Sequence, residues 1–143
     1  MGGKWYNYIV KRSPLKTTSK DQKSKLQKQC DKLLTPIIKQ LYPICEGCGG
    51  NTEVAHHWIE KSRSSNLRYN IDNLIPLCTS CHAKIHNRFG NSIMGSIDIA
   101  DTVRAKRGEE WFKRMKQEGA KVIQVNIDWY RANLDRLQKA LDN

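Results

Sequence analysis

Long apolar runs are missing from this chain of 143 residues. None reaches the roughly 18 residues that a membrane-crossing helix needs, which excludes a helical membrane protein. The start, MGGKWYNYIV, has no apolar stretch followed by a small-residue cleavage site, so it does not read as a secretory leader. Tyr6 stands where a myristoylation signal beginning at Gly2 would need Ser or Thr. The expectation is a cytosolic chain. Internal repeats are absent too, which excludes solenoids and propellers. Acidic residues are scarce at one end: residues 1–42 hold ten Lys/Arg against two acids, and residues 43–143 hold fifteen against twelve. Histidine is the scarcest chemistry-bearing type, with only His56, His57, His82 and His86.

A length of 143 residues fits one ordinary domain with arms. The formal charge of +11 sits mainly in the N-terminal part, as suits a polyanionic partner whose counterions are released on binding, or a solvated tail. Residues 1–19 read as a basic flexible arm. Ser19 with Gln22 is placed as a capping box, and Leu26, Cys30, Leu33, Leu34, Ile37, Ile38 and Leu41 then recur at helical spacing, giving an amphipathic helix over 20–42. Pro36 is expected to kink it or end it early. Its polar side carries Lys20, Lys23, Lys25, Lys28, Lys32 and Lys39, either a track for a nucleic-acid backbone or a solvated face.

From residue 43 the texture changes. CEGCGG reads as a tight turn, NTEVAHHWIE as a short strand, and NLIPLC as a second strand, at an edge because of Pro76. TSCHAKIHNRFG reads as a short helix ended by Gly90. The core therefore spans 43–90 in the order strand, strand, helix. A helical extension over 91–143 follows: IADTVRAKRGEEWFKRMKQEG as one helix, or two parted near Gly108, then a helix capped by Asn126 with Ile127, Tyr130, Leu134, Leu137 and Leu141 along one side. That stripe serves either the core or a dimer, so monomer and homodimer both stay open.

Cys45 and Cys48 form one C-x-x-C, Cys78 and Cys81 another, with 29 residues between. Without a leader, cysteines in this pattern argue for metal over disulfides. Two knuckles supply the four thiolates that tetrahedral structural zinc requires. A C-x-x-C-H haem attachment at Cys78–His82 would leave the first pair unexplained. Cys30 falls on the apolar side of the first helix and reads as core. His82 and His86, four apart on a helix, project from one side and can share an ion. His56 and His57 are adjacent on a strand, so their side chains point to opposite faces. One of them can join the helical pair as a third ligand, and its neighbour is placed differently and left available for a proton.

The succession AHHWI, Asn73 in NIDNLIPLC, and CHAKIH resembles the HNH endonucleases, the ββα-metal fold, in their zinc-knuckle form with paired C-x-x-C. The likeness covers residues 45–88 and implies an α+β fold with a structural zinc at Cys45, Cys48, Cys78 and Cys81. It further implies a catalytic divalent metal on His56, His82 and His86, His57 as general base, and Asn73 as the residue that orients the base and its loop. More loosely, KRSPLKTT, LRYN and the helical tail look similar to phage NinG-like recombination endonucleases, which would place the chain in a host cytoplasm, in DNA recombination or processing. The implied activity is metal-dependent hydrolysis of DNA phosphodiester bonds. A zinc-stabilised nucleic-acid-binding module without catalysis is the alternative. Imidazole ligands suit Zn, Ni, Co or Mn better than Mg, and the ion stays undecided. Candidates for phosphate contact are Lys61, Arg63, Arg68 and Lys84 in the core and Lys11, Arg12 and Lys16 in the arm, with ordinary surface charge as the other reading.

The arm generates a test. Deleting residues 1–18 is expected to leave metal binding intact while weakening DNA affinity. The slope of log affinity against log salt should fall by up to about 0.9 for each lost phosphate contact. An unchanged slope would make the arm passive.

Overall fold

The computed structural model describes residues 18–86 and 93–143, with the side chains of 93–97 left aside. Helix α1 (Ser19–Leu41) starts one residue earlier than expected, and its cap is Thr18, not Ser19. The Asp21 amide donates to the Thr18 hydroxyl and the Asp21 carboxylate accepts from the Thr18 amide, each at 3.2 Å, closing the reciprocal box with an Asp in place of Gln22. A truncation that tests the arm without fraying α1 therefore ends at residue 17. Pro36 does not end the helix. It removes one amide donor, but Leu34, Ile37 and Ile38 around it are buried and hold the next turn in place.

Strands β1 (Val54–His57) and β2 (Leu74–Leu77) form a two-stranded antiparallel sheet in which Val54 faces Leu77 and His57 faces Leu74. A short 3₁₀ turn, Ile71–Asn73, leads into β2. Pro76 lies opposite Ala55, whose amide donates to the Thr35 hydroxyl of α1 at 3.3 Å, so this pairing does not call on the N–H that proline lacks. Helix α2 (Thr79–Ile85) follows, with His86 as its C-cap; Gly90, expected to end it, lies outside the described residues. The next segment resolves into two helices, α3 (Ile93–Arg107) and α4 (Glu109–Gly119), parted by Gly108 at φ +88°. Helix α3 begins six residues before the Ile99 expected from sequence. Asn126 caps α5 (Ile127–Asp142) by accepting from the Trp129 amide at 2.8 Å.

The sheet separates two cores, and strand alternation decides which residue enters which. Ile75 and Leu77 join Cys45, Leu67, Cys81, Ile99, Val103, Trp111 and Met115 on the side of α2, α3 and α4. Leu74 joins Cys30, Leu34, Ile37, Ile38, Tyr69, Tyr130 and Leu137 on the side of α1 and α5. Val54 packs against the first core and Ala55 against the second. The apolar stripe of α5 thus lies against α1 within the same chain. This is the expected α+β arrangement, two strands and a short helix flanked by longer helices.

Arg107 ties the pieces on the α3 side. Its guanidinium donates to the Glu46 carboxylate at 2.9 Å and to the carbonyls of Asp72 at 3.0 Å and Leu74 at 3.2 Å. It joins the first cysteine pair to the start of β2, with both charged side chains largely buried. Arg107→Ala leaves the Glu46 carboxylate unpaired and is expected to cost about 2–3 kcal/mol in urea unfolding of the zinc-loaded protein. Arg107→Lys should recover only part of that, because an ammonium has its donors on one nitrogen, whereas the guanidinium reaches these acceptors from Nε, Nη1 and Nη2.

Candidate active site

The two C-x-x-C pairs converge: the Sγ atoms of Cys45, Cys48, Cys78 and Cys81 all lie within 4.8 Å of one another. Zinc at about 2.3 Å from four sulfurs would set them about 3.8 Å apart, and Cys48 Sγ stands 3.7 Å from Cys78 Sγ. Burial pushes Cys45 up, yet amide donors from Cys78, Cys48 and Gly47 outweigh it and bring the thiol down to about 7. Burial and the neighbouring thiols drive Cys81 the other way. The four cysteines fit structural zinc.

Helix α2 grows out of this cluster. Cys78 is its N-cap, with Sγ accepting from the Cys81 amide at 3.3 Å. His82 and His86 follow, and their Nε2 atoms are 3.1 Å apart. On β1, His56 faces the same way as Val54, toward α2. The ligand nitrogens of His56, His82 and His86 all lie within 4.8 Å of one another, a spacing that a single ion can bridge. Burial, reinforced by the neighbouring imidazoles, lowers His56 to about 3, so it is a neutral ring with a lone pair to offer.

His57 faces the other way, toward α1. Its Nε2 lies 2.8 Å from the Arg68 carbonyl, an acceptor only, so this nitrogen carries the hydrogen and Nδ1 is the basic one in the neutral ring. Burial lowers its pKa below the ordinary imidazole value, partly offset by that carbonyl. A cleft of about 430 Å³ runs beside β1 between α1 and α2, and it is lined by both kinds of histidine together with Asp31, Thr35, Glu60 and Lys61.

Asn73 is fully buried, and among the described residues its side chain bonds backbone groups. Its Oδ1 accepts from the Ile59 amide at 2.9 Å, and its Nδ2 donates to the carbonyls of Ile59 at 3.0 Å and Leu67 at 3.3 Å. It closes the neck of the loop that runs from β1 to the 3₁₀ turn. Arg68 turns inward and forks onto Asp31 at 3.2 and 2.8 Å. Its charge is thus paired within the fold, at a residue named above as a candidate for phosphate contact. Lys61 is exposed at the cleft, Lys84 is exposed on α2, and Arg63 is exposed beside Glu60 at 3.6 Å. Lys11, Arg12 and Lys16 lie outside the described residues. Asp31 and Thr35 were not singled out from sequence. The available signal for Asp31 was that residues 1–42 hold two acids only, and Asp21 is the helix cap.

Comparison with known proteins bears on this region. Residues 45–88 match the family model of the HNH endonuclease, in agreement with the resemblance carried by the cysteine pairs, AHHWI, Asn73 and CHAKIH. The match concerns those residues and lends no support to the looser NinG-like similarity. No curated protein and no solved structure matches the chain.

The knuckle supplies a prediction. A Cβ at Gly47 would lie 2.8 Å from Cys81 Sγ and 3.1 Å from Cys81 Cβ. A zinc held by the four thiolates would fix that sulfur in place. The parent protein is expected to keep about one zinc per chain through mild chelation. Gly47→Ala should release it readily, and Cys45→Ser should lose zinc and folding together, as followed by metal analysis and circular dichroism. A well-folded Cys45→Ser protein would remove the structural role.

Proposed function

We propose that this protein is a metal-dependent endonuclease that hydrolyses DNA phosphodiester bonds in the cleft beside β1. The observation that carries the reading is the division of labour on adjacent residues. His56 joins two helical histidines in a cluster fit for one ion, while His57 borders the same cleft from the opposite face of the strand with one ring nitrogen fixed by a carbonyl.

A divalent ion on His56, His82 and His86 would supply charge relief to a phosphoryl oxygen and to the departing alkoxide. The chain's own residues do the rest. His57, neutral at physiological pH because burial holds its pKa down, accepts the proton of the attacking water at Nδ1 while Nε2–H remains on the Arg68 carbonyl. Asn73 is a positioning residue: it holds Ile59 and Leu67 together and so fixes the loop that bears that carbonyl. Lys61 at the cleft, Lys84 on α2, and Lys28, Lys32 and Lys39 on the exposed side of the α1 wall offer positive charge along a path for the phosphate backbone. With four thiolates on one metal and three imidazoles on the other, zinc is the structural ion, and Zn, Ni, Co or Mn suits the cleft.

The deciding experiment is cleavage of supercoiled plasmid by the purified chain across a panel of divalent ions. DNA binding without cleavage under any ion would instead leave a zinc-stabilised nucleic-acid-binding module. Within an active protein, His57→Ala should retain zinc and DNA binding and lose about 10²- to 10⁴-fold in rate, with no rescue by excess ion. His56→Ala should weaken the cleft metal, with part of the activity returning at high ion concentration. If excess ion rescues His57→Ala and leaves His56→Ala inactive, the two roles are reversed.

A further inference from the structure

Three consecutive backbone carbonyls, at residues 67, 68 and 69, each accept from a different element of the fold. Leu67 O takes Asn73 Nδ2 at 3.3 Å, Arg68 O takes His57 Nε2 at 2.8 Å, and Tyr69 O takes Arg136 Nη2 of α5 at 2.6 Å. The middle carbonyl is the one that fixes the tautomer of the base. The peptide unit to which it belongs joins Arg68 to Tyr69, and both side chains of that pair end on one carboxylate, Asp31 of α1. Arg68 donates from Nε to Oδ1 at 3.2 Å and from Nη2 to Oδ2 at 2.8 Å, and the Tyr69 hydroxyl donates to Oδ1 at 3.1 Å. A single peptide plane gripped from both sides by one acceptor has little freedom to rotate, and a carbonyl that cannot rotate holds its hydrogen-bond partner in one orientation.

From this arrangement we infer that Asp31 is a positioning residue for the His57 base, acting through the Arg68–Tyr69 peptide; the inference rests on the nuclease reading above. Asp31 lines the cleft, but both of its oxygens are engaged by Arg68 and Tyr69, and among the described residues it is not part of the histidine cluster. Its influence on the reaction therefore runs through the backbone and not through the ion. Burial makes the clamp effective: the Arg68 side chain is 16% exposed, Asp31 is 31% exposed, and Tyr69 is buried. In that setting a forked, charge-assisted pair keeps its geometry where a solvated one would fluctuate. Neither Asp31 nor Arg136 lies within residues 45–88, so the base of the core is set from helices outside it.

The test uses the full chain with two readouts. The first is plasmid cleavage with manganese, with nickel and magnesium in parallel, resolved into kcat and KM. The second is nitrogen-15 NMR of the imidazole rings in the zinc-loaded protein, which reports directly whether His57 holds its hydrogen on Nε2. Asp31→Asn is expected to lower kcat by about ten- to a hundredfold, as misplacement of a reacting group does, with KM little changed. The His57 ring should pass from one tautomer to a mixture. In an Arg68→Met, Tyr69→Phe background the same substitution should have no further effect on kcat, since the path through which it acts is gone. Should Asp31→Asn fail to fold, Arg68→Lys, which keeps the charge and loses the fork, is expected to give the same two signatures. Additive losses in the combined variant, a rise in KM without loss of kcat, or an unchanged Nε2–H signal would each overturn the proposal. A parent protein that cleaves nothing would overturn the nuclease reading and the proposal together, whereas a cleaving parent with an unimpaired Asp31→Asn variant overturns the proposal alone.

Discussion

A helix of seven residues has too few internal hydrogen bonds to persist in water by itself, yet α2 carries His82 and, at its C-cap, His86, whose Nε2 atoms stand 3.1 Å apart. The cysteine cluster resolves that conflict. Cys78 caps the first turn and Cys81 sits one turn in, so a metal holding both fixes the backbone of the helix from its start. His82 follows Cys81 directly, and any slack in the cluster would be passed to the cleft within one residue. The first knuckle is held in turn by Glu46 on Arg107, and Gly47 leaves the space that the Cys81 sulfur fills. The cysteine cluster is thus coupled to the histidine cluster by position in the chain.

The second dependency is strand alternation. A strand sends neighbouring residues to opposite faces, and β1 uses this to send His56 toward α2 and His57 toward α1. A one-residue slip of β1 would exchange the faces of the two histidines and also swap Val54 and Ala55 between the cores. The same parity in β2 divides Leu74 from Ile75 and Leu77. Packing and chemistry therefore select one register, and a sheet with only two strands is held in it by buried side chains on both faces.

Much of this was legible in the sequence because the signals are local. The C-x-x-C pairs, the i and i+4 histidines and the histidine doublet each need a few residues to be recognised, and the chemistry they permit is narrow. Gly108 left one helix or two open, and its positive φ settles on two. The Thr18 cap lay one residue from the expected Ser19 because neighbouring hydroxyls compete for the same position. Arg68 shows where local reading stops. Its charge and loop position pointed to phosphate, but its partner Asp31 lies 37 residues away, and no local pattern marks that pairing. Arg136 is farther still, 67 residues from the carbonyl it holds. Asn73 was singled out for the base and its loop; its side-chain amide bonds the backbone at Ile59 and Leu67, and His57 rests on the Arg68 carbonyl.

The flanking helices complete the core in a physical sense. Residues 45–88 by themselves would expose one whole side of the sheet, with Ala55, Tyr69 and Leu74 facing water where Leu34, Ile37 and Leu137 now cover them. They would also lose Thr35 from the free edge of β1, together with Asp31 and Arg136 from the segment that holds His57. Apolar cover and polar restraint arrive on the same two helices, so the hydrophobic effect that docks α1 and α5 also delivers the groups that hold the segment 67–69 against His57. A two-stranded sheet with a seven-residue helix brings the four histidines to one cleft; in this chain it is α1 and α5 that hold the segment against which His57 rests.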